Sequence, residues 1–149
     1  MRMDVVRLRL GFVLVAVAGA AMTAGCGSSS SPTTPTTPSG PTFSQQIQAQ
    51  ILTPACVSCH TDNGRTPAGG LNLKDTSTSH SQLVNAPSTG KSGAIRVIPG
   101  NPNGSYLIQK LIGAPDIVGS RMPRNGPPFL SDAHVDLIRQ WIQNGAPNN

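Results

Sequence analysis

Residues 56–60 read Cys56-Val57-Ser58-Cys59-His60. Two thiols three positions apart, with an imidazole directly after the second, form the attachment pattern of a c-type haem. The spacing has a mechanical reason. Two sulfurs must reach the two vinyl edges of one porphyrin and form thioethers, and two intervening residues on a helical turn set them apart by that span. The next residue then turns its imidazole to the iron from the same side, so His60 is the expected proximal ligand. Other chemistries suit these residues less well. A disulfide between Cys56 and Cys59 closes a very small loop and stabilises little. A thioredoxin-like site needs a βαβ setting. Tetrahedral zinc needs four ligands, and would have to recruit His80 or His134 to join the two thiolates.

A low-spin, electron-transferring iron needs a sixth ligand. Of the four methionines, Met1, Met3 and Met22 fall in an N-terminal leader, which leaves Met122 in Ser120-Arg121-Met122-Pro123-Arg124. A thioether favours ferrous iron and raises the potential relative to a second imidazole. Met122 is therefore the expected distal ligand. His80 is its first rival, in a Ser/Thr-rich run that reads as solvated loop. His134 is the second, in the first turn of a helix and expected to be exposed.

The leader is legible in three parts. Arg2, Arg7 and Arg9 precede an apolar run, Gly11 to Met22, and Thr23-Ala24-Gly25 leads into Cys26. The run is too short for a membrane span and is followed by polar chain, so residues 1–25 read as an export signal. Small residues before a cysteine resemble the lipobox of bacterial lipoproteins, although Thr23 stands where Leu is usual. That resemblance implies lipidation of Cys26. Ordinary cleavage after Ala20 is the alternative, and it would leave a soluble periplasmic protein. Residues 26–42 add a Ser/Thr/Pro-rich stretch with nothing apolar to bury, suited to a tether between lipid and domain.

Composition narrows what lies beyond. The chain has 149 residues, 37% hydrophobic, 11% charged and 3% aromatic, and all six acids are Asp. A long charged helix or coiled coil would be rich in Glu, Lys and Leu. The formal charge is +5, but without the first ten residues only eight bases face five acids. They are scattered, and no basic stripe for nucleic acid is visible. No nucleophile–base arrangement stands out, so no enzyme is expected. With so few aromatics, the domain at 43–149 has either a small aliphatic core or a hydrophobic body borrowed from a cofactor.

The elements that must hold these groups are helical. Phe43, Ile47 and Ile51 mark one apolar helix stripe, with Ser44 as a candidate cap and Pro54 as its end or kink. Ser81–Asn85 suggests one helical turn, and Ser105–Leu111 predicts a second helix. Ser131 begins the clearest one: it caps, Val135, Ile138, Trp141 and Ile142 share a face, and Asn144-Gly145 stops it. Phe43, Ile47 and Ile51 should pack on Ile138, Trp141 and Ile142. Leu71, Leu73, Ile95, Leu107 and Leu111 are candidates for a pocket wall. A domain with so much irregular chain needs something central to organise it.

In sum, 43–149 resembles the cytochrome c domain carried by many exported bacterial proteins. Gly69-Gly70-Leu71-Asn72-Leu73 resembles the segment after the haem-binding helix. Pro99-Gly100-Asn101-Pro102 with Ser105-Tyr106-Leu107 is similar to a mid-chain signature, Arg121-Met122-Pro123 to the methionine loop, and Trp141 to Ala146 to the last helix. The resemblance implies an all-α fold in which the terminal helices cross and extensive loops wrap one covalent haem c. The stretch 74–97 is a departure in length, and its path is open. The implied activity is single-electron transfer with redox partner proteins in the cell envelope. Arg121 and Arg124 either steer an acidic partner, pair with haem propionates or face water. Cys26 would hold the protein to a membrane facing the periplasm, and Gly27 rather than Asp after it favours the outer membrane over the inner. A haem sensor or small-ligand module with an open sixth position is the alternative. A haem-free scaffold built on zinc or a disulfide is a third reading.

Overall fold

The computed structural model describes residues 40–149. The signal segment 1–25, the lipidation site Cys26 and the tether up to residue 39 lie outside the described residues. The described chain is helical, with no β-strand, and no helix in it is long and apolar enough to cross a membrane.

Helix α1 starts as Phe43–Leu52 with π-type hydrogen bonding and ends in the α-helical turn Thr53–Ala55. Its apolar residues recur every four positions. In an α-helix that spacing drifts by about 40° per step around the axis. The wider turn lessens the drift, and Phe43, Ile47 and Ile51 all become fully buried. Pro54 sits where the bonding changes and does not end the helix. Ser44 does not cap it. The chain's C-terminus does: Phe43 N–H donates to Asn149 Oδ1 and Ser44 N–H to the Asn149 carbonyl, each at 2.8 Å. Those first N–H groups have no partner within a helix.

Helix α2 is Thr76–Leu83, with Asp75 accepting from Thr78 N–H as its N-cap. The run that reads as solvated loop is therefore two helical turns, and they start well before Ser81. The following chain doubles back on itself through isolated bridges, Val84 to Val97 and Pro87 to Ile95. This is the path of the 74–97 stretch. It delivers the Ile95 and Arg96 carbonyls to the first N–H groups of α3, Tyr106–Ile112, at 3.0 and 2.9 Å. Gly113 ends α3 in a left-handed conformation (φ 70°), a site where a side chain is strained.

Helix α4, Asp132–Gln143, is capped by the Ser131 side chain as expected. It packs on α1. Phe43 and Trp141 stack with centroids 4.9 Å apart, and Trp141 Nε1 donates to the Pro147 carbonyl. Ile47, Ile51, Ile138 and Ile142 are buried in the same cluster. Each such side chain contributes roughly 1.5–3 kcal/mol on burial. This packing fixes the end of α1, from which the cysteine–histidine turn emerges.

Candidate haem site

The turn at 56–60 grows directly out of α1. Cys56 N–H still donates to the Leu52 carbonyl, while Cys59 N–H and His60 N–H both donate to the Cys56 carbonyl at 3.2 and 3.0 Å. The two cysteines therefore sit on one helical turn with His60 beginning the exit. The exit is held by Leu73 N–H on the His60 carbonyl, Ala68 N–H on the Cys59 carbonyl, and the Arg65 guanidinium on the Ser58 carbonyl. The thiols are not joined to each other: Cys56 is half-buried and Cys59 exposed. Burial, with a smaller push from Cys59, raises the Cys56 thiol to about 11. His60 is held below its ordinary value, first by burial. The Ala68 and Leu71 carbonyls oppose this, and the positive charge of Arg96 adds to it. Its Nδ1 is buried without a hydrogen-bond partner.

Cys56 and His60 open onto a cavity of about 430 Å³, within the usual range for small-molecule sites. Its apolar wall comes from every helix: Leu52 of α1, Leu83 of α2, Leu107 and Leu111 of α3, and Ile138 of α4. Leu71 and Leu73 also line it, as expected; Ile95 does not. Met122 lines the same cavity, brought there by its N–H on the Lys110 carbonyl at 2.9 Å. Cys59 lines an adjoining cavity that shares Cys56, His60 and Met122. The structure thus gathers all four expected haem residues around contiguous space.

The rival ligands lie elsewhere. His80 Nε2 donates to the Ala146 carbonyl at 2.9 Å, and its ring stands edge-on to Phe43 at 5.1 Å. It belongs to the α1–α4 packing and does not line the cavity. His134 is half-buried rather than exposed, and it too is absent from the wall. Among the described residues, no group of three or more His, Cys, Asp or Glu comes together to hold a bare metal ion.

The two arginines beside Met122 part company. Arg121 Nε donates to the Leu111 carbonyl at 2.7 Å, and its guanidinium lies 4.1 Å over the Phe129 ring. It braces the loop. Arg124 is exposed at the rim of both cavities. Sequence reasoning missed Arg96. It lines the cavity yet is only 9% exposed, with its guanidinium on the carbonyls of Gln82, Gly69 and Gly70. A lone arginine in Ile95-Arg96-Val97-Ile98 has no nearby acid in sequence to mark it as buried.

The donor set and the wall suit a haem. One imidazole and one thioether are neutral ligands that suit iron. Two thiols on one turn stand at the edge of apolar space, and Arg96, Lys110 and Arg124 line that space with no acid among the lining residues. An apolar macrocycle bearing carboxylates needs such an enclosure. No protein-family model matches the chain, and no curated protein or solved structure matches it either.

Proposed function

We propose that the domain is a monohaem c-type cytochrome that carries single electrons in the cell envelope, as a carrier and not an enzyme. The observation that supports it most is that Cys56 and His60, on one helical turn with Cys59, meet Met122 at one apolar cavity, and that Cys59 lines a second cavity sharing those three residues. On this reading Cys56 and Cys59 carry the thioether bonds. His60 and Met122 would be the iron's protein ligands, in a cytochrome c-like fold. The haem supplies a one-electron ferric/ferrous couple; the chain supplies everything that tunes it. Met122 favours the ferrous state, and the leucine and isoleucine wall keeps water out and so disfavours net charge at the centre. Arg121 is spent inside the loop, which leaves Arg124 at the rim for a partner's acidic groups.

Cys26 is proposed as the lipid anchor, with 27–42 as the tether, so that the domain faces the periplasm, at the outer membrane by preference. Partners are then redox proteins of the envelope, and no nucleic acid is involved. The test is to express the full chain in a host that matures c-type cytochromes. The proposal expects a red protein whose haem stays attached under denaturing electrophoresis and which does not bind carbon monoxide rapidly when reduced. Rapid binding would favour the sensor reading with an open sixth position. A colourless product would overturn the haem assignment.

A further inference from the structure

Arg96 is a buried cation without an anion. Its three hydrogen bonds go to neutral carbonyls: Gln82 at 2.9 Å, Gly69 and Gly70 at 3.4 Å. Among the described residues the one ion pair is Lys74 with Asp62, at the surface. An arginine stays charged in proteins, and a buried charge is costly unless it is paired. The carbonyls hold the guanidinium in place but do not neutralise it, and they leave N–H donors unspent.

Of the three cations that line the cavity, Arg96, Lys110 and Arg124, only Arg96 is buried. Lys110 spends its ammonium on the Val118 and Ser120 carbonyls. Arg121 spends its Nε on Leu111. Arg124 is exposed, where an ion pair contributes little. The titratable groups sharing the wall are Cys56, His60, Tyr106, Lys110 and Arg124, and none is a carboxylate. The missing anion therefore has to arrive with the ligand. Gly69 and Gly70, both at positive φ, turn their carbonyls to the guanidinium and fix its position.

We infer that Arg96 is the seat of an ionised carboxylate carried by the cavity's ligand, which on the haem reading above is one of the two propionates. That carboxylate is held inside the wall, while Arg124 at the rim makes no comparable pair. A charge-assisted contact of this kind keeps a carboxyl below its ordinary range. Losing the guanidinium would leave a buried, unpaired carboxylate, whose pKa rises. As it protonates on acidification, the iron site loses a negative charge and the potential climbs.

The test is the reduction potential of the haem-loaded chain from about pH 5 to pH 8, native protein beside variant, so that histidines common to both cancel and only a titration the variant adds is counted. Arg96→Gln is expected to add a titration that the native protein lacks, with the potential falling as pH rises and lying below the native value at the alkaline end. Arg96→Lys, which keeps the charge, should suppress that titration. Identical curves for native protein and Arg96→Gln would overturn the inference while leaving the haem reading intact. Should Arg96→Gln fail to mature, infrared difference spectra of native protein with haem ¹³C-labelled at its carboxylates decide the matter. One carboxylate should stay ionised as the pH is taken down to about 3, below the ordinary carboxylate range; protonation of both with ordinary solvent behaviour would overturn the inference. A colourless chain sinks the haem reading and this inference together.

Discussion

Replacing His80 separates the two roles its position has suggested, ligand and structural wedge. In the structure it donates to the Ala146 carbonyl and meets the Phe43 ring edge-on. A hydrogen bond contributes about 1 kcal/mol, and an aromatic edge contact contributes about as much beyond its area. His80→Ala should therefore cost about 2 kcal/mol, or somewhat more because Ala146 is buried and its carbonyl loses its partner. With an unfolding entropy of about 2.1 cal/mol/K per residue over the described domain, that is a fall in Tm of roughly 9 °C. His80→Phe keeps the ring and should lose about half as much. The assay is urea or thermal unfolding of the haem-loaded protein, with the visible spectrum of each folded variant recorded alongside. Both variants should keep the native iron spectrum. A changed iron spectrum with unchanged stability would refute the reasoning, because His80 would then be at the iron and not at the α1–α4 contact.

Other outcomes follow from the same geometry. In chain made without haem maturation, an alkylating reagent at pH 8 should label exposed Cys59 well before Cys56, whose thiol is raised to about 11 and so is scarcely ionised; mass spectrometry of the digest checks this, and equal labelling would contradict it. Gly113→Ala should cost about 1 kcal/mol or more and weaken the methionine–iron band, since φ is 70° and an added Cβ meets the Arg121 side chain at 2.9 Å; unfolding and visible spectra report both. Ser131→Ala removes the side-chain acceptor of His134 N–H and should destabilise by about 1 kcal/mol without altering the iron spectrum.

Local chemistry made part of this molecule legible in advance. Helix α4 carries its own cap, stripe and stop, so its pattern needs no tertiary partner to be read. The cysteine–histidine turn is legible because its residue types and spacing are themselves the chemistry, and Met122 because few alternatives remain once the leader is set aside. Helix α2 was not legible. Thr76 to Ser79 and Ser81 are residues that compete with the backbone for hydrogen bonds, and the helix rests on the Asp75 cap and on burying Ser79 and Leu83 against other elements. The cap on α1 arrives from Asn149, 106 positions from Phe43, a contact that no local window contains. Arg96 is the sharpest case: arginine is rarely buried, and only the folded chain shows its charge enclosed beside the cavity.

The central proposal is that His60 and Met122 would both ligate one haem iron. Its most direct test is the visible and near-infrared spectrum of the purified, haem-loaded protein, oxidised and reduced, beside Met122→Ala. The account predicts covalent haem, a methionine–iron charge-transfer band in the oxidised native protein, and loss of that band with a lower reduction potential in the variant. Covalent haem with the same spectrum in both proteins would contradict it.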